Sequence, residues 1–270
     1  MLAKRVISGI GLVILALIVL ISGGPILALT LCAISLVGFH ELCKACGILQ
    51  EKGNTLEISG YIFILLYYAL LYFTTDNQYL ILTAVFAMLV MLGIYVFTFP
   101  KIHANQVMAA VFSFAYAPVM FSFIYLIRNL DHGVYLVWFV FIASWVSDTC
   151  AFFVGIMLGK HKLAPVLSPK KSMEGSVGGI LGSAVVGALF GGIILMPLVE
   201  NPNIIWICAL LGGIGSVISQ IGDLAASAIK RDHEIKDYGN LIPGHGGILD
   251  RFDSVLVTAP IIYFLCIFWI

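Results

Sequence analysis

The stretch SVGGILGSAVVGALFGGIIL, residues 176–195, runs for twenty residues without a charge. An α-helix of that length rises about 30 Å, the thickness of the hydrocarbon layer of a bilayer. The rest of the chain follows suit: 61% of its 270 residues are apolar and 10% are charged, with a mean hydropathy of +1.08. No soluble domain of this length carries such a composition. Further apolar runs lie at 6–21, 25–40, 58–74, 79–99, 107–127, 134–158, 203–226 and 254–270, and the run containing 176–195 extends to 199. The expected fold class is all-α: a polytopic integral membrane protein of about nine transmembrane helices. The first two runs are short and are joined through SGGP at 22–25, which leaves a re-entrant pair open as an alternative to two full crossings.

Basic residues test the count, because lysine and arginine accumulate in cytoplasmic loops. With nine spans and a cytoplasmic N-terminus, 13 of the 14 basic residues fall on the cytoplasmic side and only Arg128 falls outside. The charged start MLAKR is read as the flank of a retained first span rather than a cleaved signal. The expected location is the inner (plasma) membrane, with the functional face toward the cytoplasm. The six cysteines are scattered and imply no disulfide framework. The CKAC at 43–46 has no second pair to complete a zinc site.

Polarity divides the chain into residues 1–130, read as transmembrane scaffold, and 131–270, read as the catalytic region with cytoplasmic active-site loops. In the second part Gly175, Gly179, Ser183, Gly187 and Gly191 recur every fourth residue, lining one helical face and permitting close approach by a neighbour. Gly215, Ser219, Asp223 and Ser227 repeat that spacing on the next span. A carboxylate at such depth is costly unless paired, hydrated or bound to a cation. Asp223 is therefore a candidate cation ligand, with an ion pair to Lys230 or to a lysine of another span as the plainer reading. Asp148, inside the sixth run one turn after Ser144, carries the same ambiguity between a site role and an interhelical hydrogen bond. His40, Glu41 and Lys44 at the end of the second run are read as interfacial anchors. The tyrosines and phenylalanines of spans three to five are read as lipid-facing packing, with an acyl-chain groove as the alternative.

Charge concentrates in SAIKRDHEIKDYGNLIPGHGGILDRFD, residues 227–253. The loop PGHGGILDRFD offers Gly244, Gly246 and Gly247 for sharp turns that present amides to an anion. If it folds back on the preceding span, Asp250 joins Asp223 around Mg²⁺, and Lys230, Arg231, Lys236 and Arg251 surround phosphates. His245 is either a phosphate or proton partner, or loop architecture. Ser227 lacks the base and orienting acid of a nucleophile. Lys170 and Lys171, just before a helix start, are placed to reach phosphates.

Ser227, Lys230, Arg231, Lys236, Asp237, Gly239, Pro243, His245, Gly246, Gly247, Asp250, Arg251 and Asp253 fall in an order and spacing that resembles the signature of the phosphatidate cytidylyltransferases, a CTP transferase family. QIGDLAAS at 220–227 and LSPKKSMEGS at 167–176, with Lys170, Lys171, Glu174 and Gly175, look like the same family. The resemblance covers about the C-terminal half. It implies a membrane enzyme that joins CTP to phosphatidic acid, giving CDP-diacylglycerol and pyrophosphate with Mg²⁺. The family's metal-binding aspartates map onto Asp223 and Asp250, and its other functional positions onto Asp148, Lys171, Ser227, Lys230 and His245. Lys170, Arg231, Lys236, Gly246, Gly247 and Arg251 are the expected substrate-binding set. One or two divalent ions are expected, and the pattern admits a monovalent cation besides. Expected partners are CTP, phosphatidic acid and membrane lipid. Small-residue helices admit a homodimer, and no basic soluble surface points to nucleic acid. A CTP-dependent lipid kinase and, more remotely, an ion or metabolite transporter are the competing classes.

Overall fold

The computed structural model describes residues 2–48, 54–241 and 246–270, the side chains of residues 2–10 and 12 excepted. His245, Gly244 and Pro243 therefore lie outside the described residues. Nine long helices are described: α1 (Leu2–Ser22), α2 (Gly24–Ala45), α3 (Thr55–Phe73), α4 (Gln78–Thr98), α5 (Ala104–Arg128), α6 (Gly133–Leu158), α7 (Met173–Leu195), α8 (Ile204–Asp232) and α9 (Leu249–Trp269). Eight of them, α2 to α9, are long and apolar enough to cross a membrane, and α1 adds an apolar segment over Val13–Ser22. The all-α membrane class holds, with one addition. A small antiparallel hairpin, β1 (Lys162–Ala164) and β2 (Ser168–Ser172), joins α6 to α7 and pairs Lys162 with Ser172 and Ala164 with Ser168.

Local chemistry sets the helix starts. Asn54 accepts the amide of Leu56 at 3.0 Å and donates to the Ile48 carbonyl at 2.8 Å. Ser172 accepts the amide of Gly175 at 3.1 Å. Such caps satisfy the orphan donors of a first turn. Between α1 and α2 the chain turns on Gly23 and Gly24, at φ 61° and 48°, the left-handed region that favours glycine. The helices outrun their apolar cores at three polar ends. α2 continues through His40, Glu41 and Lys44, α8 through Lys230 and Arg231, and α9 begins before Asp250, Arg251 and Asp253. Asp250 and Asp253, expected in a loop, thus stand on the first turns of a helix. The backbone ladder continues wherever its groups find partners, whatever the polarity of the side chains.

The chain forms two units. The first comprises residues 1–125 and 233–251, and the second comprises 126–232 and 252–270. In the first unit two tyrosines of α3 are buried while Tyr72 is exposed: the Tyr68 hydroxyl bonds Ser35 Oγ at 2.8 Å and the Pro118 carbonyl at 3.1 Å, and Tyr67 bonds Ser122 at 3.1 Å. Pro118 stands in a π-helical turn, Ala115–Val119, and its carbonyl takes this donor from outside the helix. Cys32, Cys43, Cys150, Cys208 and Cys266 are free thiols.

In the second unit α7 is flanked by α6 and α8, and the fourfold small-residue spacing explains how. A Cβ at Gly175 would lie 2.6 Å from the Ala151 carbonyl, and one at Gly179 would lie 2.9 Å from that of Ser147. Farther along, a Cβ at Gly187 would lie 2.4 Å from the Cys208 carbonyl, and one at Gly212 2.2 Å from that of Ser183. Each contact is backbone against backbone, which only a hydrogen side chain permits. The seam thus meets α6 at its start and α8 farther on. Replacing Gly212 or Gly187 by valine is expected to lower the thermal midpoint of the detergent-extracted protein, or to abolish its folded yield, since overpacking a tight contact costs about 1–3 kcal/mol or more. Thermal unfolding followed by size-exclusion chromatography measures this.

Candidate active site

Where α6, α7 and α8 approach, a ladder of polar side chains crosses between them. Ser147 of α6 and Ser216 of α8 share a hydrogen bond of 2.7 Å. Gln220 of α8 donates to the Ser176 carbonyl at 3.2 Å and to Ser216 Oγ at 3.3 Å, and it accepts from the Ser176 hydroxyl at 2.5 Å. Inside hydrocarbon such bonds between helices contribute about 0.6–2 kcal/mol each and fix azimuth. Gln220 stands three residues before Asp223. Nothing near it in sequence signals this role, because Ser176 sits on another helix.

Directly beside this ladder lies a cavity of about 500 Å³, lined on its polar side by Asp148, Lys170, Lys171, Ser176, Gln220 and Asp223 and on its apolar side by Phe152, Ile156 and Leu163. Lys171 on β2 forms an ion pair with Asp223 Oδ2. The plainer reading of Asp223 was therefore right about an ion pair, with the hairpin lysine rather than Lys230 as partner. Asp148 lines the same cavity from α6. Ser144, its neighbour one turn earlier, spends its hydroxyl on the Val140 carbonyl at 2.8 Å and takes no part. Two lysines over two carboxylates in one recess are suited to receive a phosphorylated substrate, since the cations can exchange a carboxylate partner for a phosphate.

The lysines are held by the base of the hairpin. Glu174, in the first turn of α7, accepts the amides of Lys160 at 3.1 Å and His161 at 3.2 Å, and its other oxygen bonds His161 Nδ1 at 2.6 Å. That carboxylate ties the hairpin's entry to the helix its exit begins. Farther along α8, Ser227 and Lys230 are half-buried and Arg231 is exposed.

The remaining expected residues belong to the first unit, which includes the segment 233–251. Lys236 and Arg251 are exposed. Asp250 Oδ2 accepts the amides of Tyr238 at 2.8 Å and Gly247 at 3.0 Å. Gly246 has φ +85°, the left-handed turn that brings the backbone over that carboxylate. The amides of Ile248 and Leu249 donate to Glu41 at 3.0 and 2.9 Å. Within this unit the anions faced by the glycine turn are therefore carboxylates of the chain itself, and the Gly247 amide expected to meet substrate is engaged by Asp250. Glu41 is not an interfacial anchor, since it is 4% exposed; beside it His40 Nδ1 bonds Glu57 at 2.7 Å and the Tyr61 hydroxyl at 3.0 Å. His40 and Lys44 are both exposed.

Among the described residues no group of three or more His, Cys, Asp or Glu gathers as a metal cage. Mg²⁺ bound together with phosphates takes one or two protein carboxylates and completes its shell with substrate oxygens and water. Asp223 and Asp250 are hard oxygen donors of the required kind.

A helical membrane protein with lysines set over carboxylates in a recess of the seam between its helices belongs to the class of integral membrane enzymes that handle phosphates. Comparison with known proteins narrows this: the model of the cytidylyltransferase family matches residues 3–269, and the chain belongs to that family as a nucleotidyltransferase. It is similar to the phosphatidate cytidylyltransferase of Bacillus subtilis (strain 168), at 34% identity over 97% of this chain and 96% of that protein. It is similar also to the phosphatidate cytidylyltransferase of Staphylococcus saprophyticus, at 32% identity over 97% of this chain and 98% of that protein. Replacing Glu174 by alanine is expected to reduce nucleotidyl transfer about tenfold by loosening the strand that carries Lys171, a loss in the range of a misplaced positioning group. Steady-state rates normalised to folded protein measure it.

Proposed function

We propose that this protein transfers the cytidylyl group of CTP to phosphatidic acid, giving CDP-diacylglycerol and pyrophosphate, at the cytoplasmic face of the cell membrane. The observation that carries the proposal is the pairing of Lys171 with Asp223 in a cavity that Asp148 and Lys170 also line. The full-length likeness to relatives named for this activity supports it.

The reaction brings two anions together, so charge must be neutralised before bonds change. An oxygen of the lipid phosphate bonds to the α-phosphorus of CTP, and the bond from that phosphorus to the bridging oxygen breaks, releasing pyrophosphate. The attacking oxygen is already anionic, so no strong general base is needed. Lys171 is the residue we assign to the incoming phosphate: it leaves Asp223 for the substrate, and Lys170 beside it adds a second cation. Asp223 and Asp250 are the carboxylates we assign to Mg²⁺, which, when bound, polarises the phosphate and stabilises the departing pyrophosphate. Asp148 supplies a second negative charge in the cavity, which keeps Lys171 oriented once its partner is engaged. Ser227, Lys230, Arg231, Lys236 and Arg251 are assigned to phosphate contacts, and His245 to the same loop.

With CTP labelled in the cytosine ring and phosphatidic acid in detergent micelles, the label is expected in the lipid phase, with pyrophosphate released and chelation of Mg²⁺ stopping the reaction. Labelled CDP left in water would instead establish a lipid kinase. Asp223→Asn and Lys171→Ala are each expected to lower kcat/KM about 10²–10³-fold, the loss typical of removing one charge-stabilising group. Near-normal turnover in both variants would take the cavity out of the mechanism.

A further inference from the structure

Glu41 stands out among the groups that the transfer mechanism leaves unused. It lies on α2, more than 200 residues from the amides it meets, and its carboxylate is buried. None of the ion pairs among the described residues gives it a lysine or arginine. Its charge is met instead by two successive amides, Ile248 to Oε1 at 3.0 Å and Leu249 to Oε2 at 2.9 Å, at the start of α9. A carboxylate there is favoured by the helix dipole, but a serine or aspartate within the segment itself would cap the helix as well. What a cap from α2 adds is a fixed position. α2 is tied in turn to α3, since His40, next to Glu41, bonds Glu57 and Tyr61.

Two glycines exist for this carboxylate. A Cβ at Gly239 would lie 2.5 Å from Glu41 Oε1, and one at Gly247 would lie 2.2 Å from it. The segment therefore wraps the carboxylate at van der Waals contact from two sides. Asp250 follows closely, and its own orientation is set by the amides of Tyr238, next to Gly239, and of Gly247 itself. Displacing Glu41 displaces the frame that aims Asp250.

We propose that Glu41 is a positioning residue for nucleotidyl transfer: its carboxylate clamps the amides of Ile248 and Leu249 between Gly239 and Gly247 and so fixes the direction in which Asp250 is presented. The inference rests on the functional reading above. It assigns Glu41 no contact with substrate.

The test uses the full-length protein in detergent micelles and compares Glu41→Gln with wild type. Glutamine keeps the shape but turns an amide group toward one of the two donors. The expected result is a kcat lowered ~100-fold, as for a catalytic group misplaced by about 1 Å, with KM for CTP and phosphatidic acid little changed. The Mg²⁺ concentration giving half-maximal rate is expected to rise. Independently of activity, hydrogen exchange in metal-free, nucleotide-free protein is expected to accelerate in peptides covering 246–252 and to stay unchanged in α7. Gly239→Ala, whose methyl would press on the same oxygen, is expected to reproduce both effects and serves if the Glu41 variant does not fold. Faster exchange with an unchanged kcat would make the clamp purely structural and overturn the proposal, as would unchanged exchange. Wild-type protein that makes no CDP-lipid would instead sink the functional reading, while the exchange comparison would still report whether the clamp exists.

Discussion

Backbone contact between α7 and its two neighbours is the constraint on which the second unit depends. Side chains of ordinary size at Gly175, Gly179, Gly187 and Gly212 would push the helices apart by a methyl group or more. The short reach of serine and glutamine would then fail across the gap. Ser147, Ser176, Ser216 and Gln220 meet because the helices touch. The ladder in turn fixes the rotation of α8, and that rotation points Asp223 into the cavity beside Lys171 and Asp148. In a bilayer, where lipid competes equally well for apolar surface, packing and interhelical hydrogen bonds supply the specificity that hydrophobic burial supplies in water.

Asp223, Glu41 and Asp250 show two different ways in which this protein meets a carboxylate. Asp223 is compensated by a cation on a side chain that can move. Glu41 and Asp250 are met by backbone amides of Tyr238 and of the segment leading into α9. Charge-assisted bonds of both kinds offset the cost of removing an ion from water. Only the first kind of partner can be exchanged for a phosphate; the second kind fixes the direction in which a carboxylate points.

The transmembrane helices were legible in the sequence because the property that reveals them, a long apolar run, is local. Every expected run has a helix at its place, and the fourfold glycine spacing of α7 already announced close contact. The polar ends were less legible: Asp250 and Asp253 sit among glycines that suggest a loop, yet the helix begins at Leu249, since its first amides have partners elsewhere. The β-hairpin was missed because its strands, LysLeuAla and SerProLysLysSer, are short and carry no alternation of apolar residues. Lys171 and Asp148 were found as candidates, but their meeting with Asp223 was not readable from spacing. Glu41 was misread for a similar reason. Beside His40 and Lys44 at a helix end it has the composition of an interfacial cluster, and nothing nearby in sequence signals two amides some 200 positions away.

The base of the hairpin carries one more implication. Ser172 caps α7, and positions 155, 159 and 175 around it leave no space for a Cβ: one added at any of them would lie 2.8–3.1 Å from Ser172 Oγ. The strand bearing Lys171 is thereby welded at its foot. In the reaction we propose, the ammonium group would change partners by rotating about its own four-carbon stem, with no movement of the backbone that carries it. The hairpin can then stay still while its cation is handed from carboxylate to phosphate.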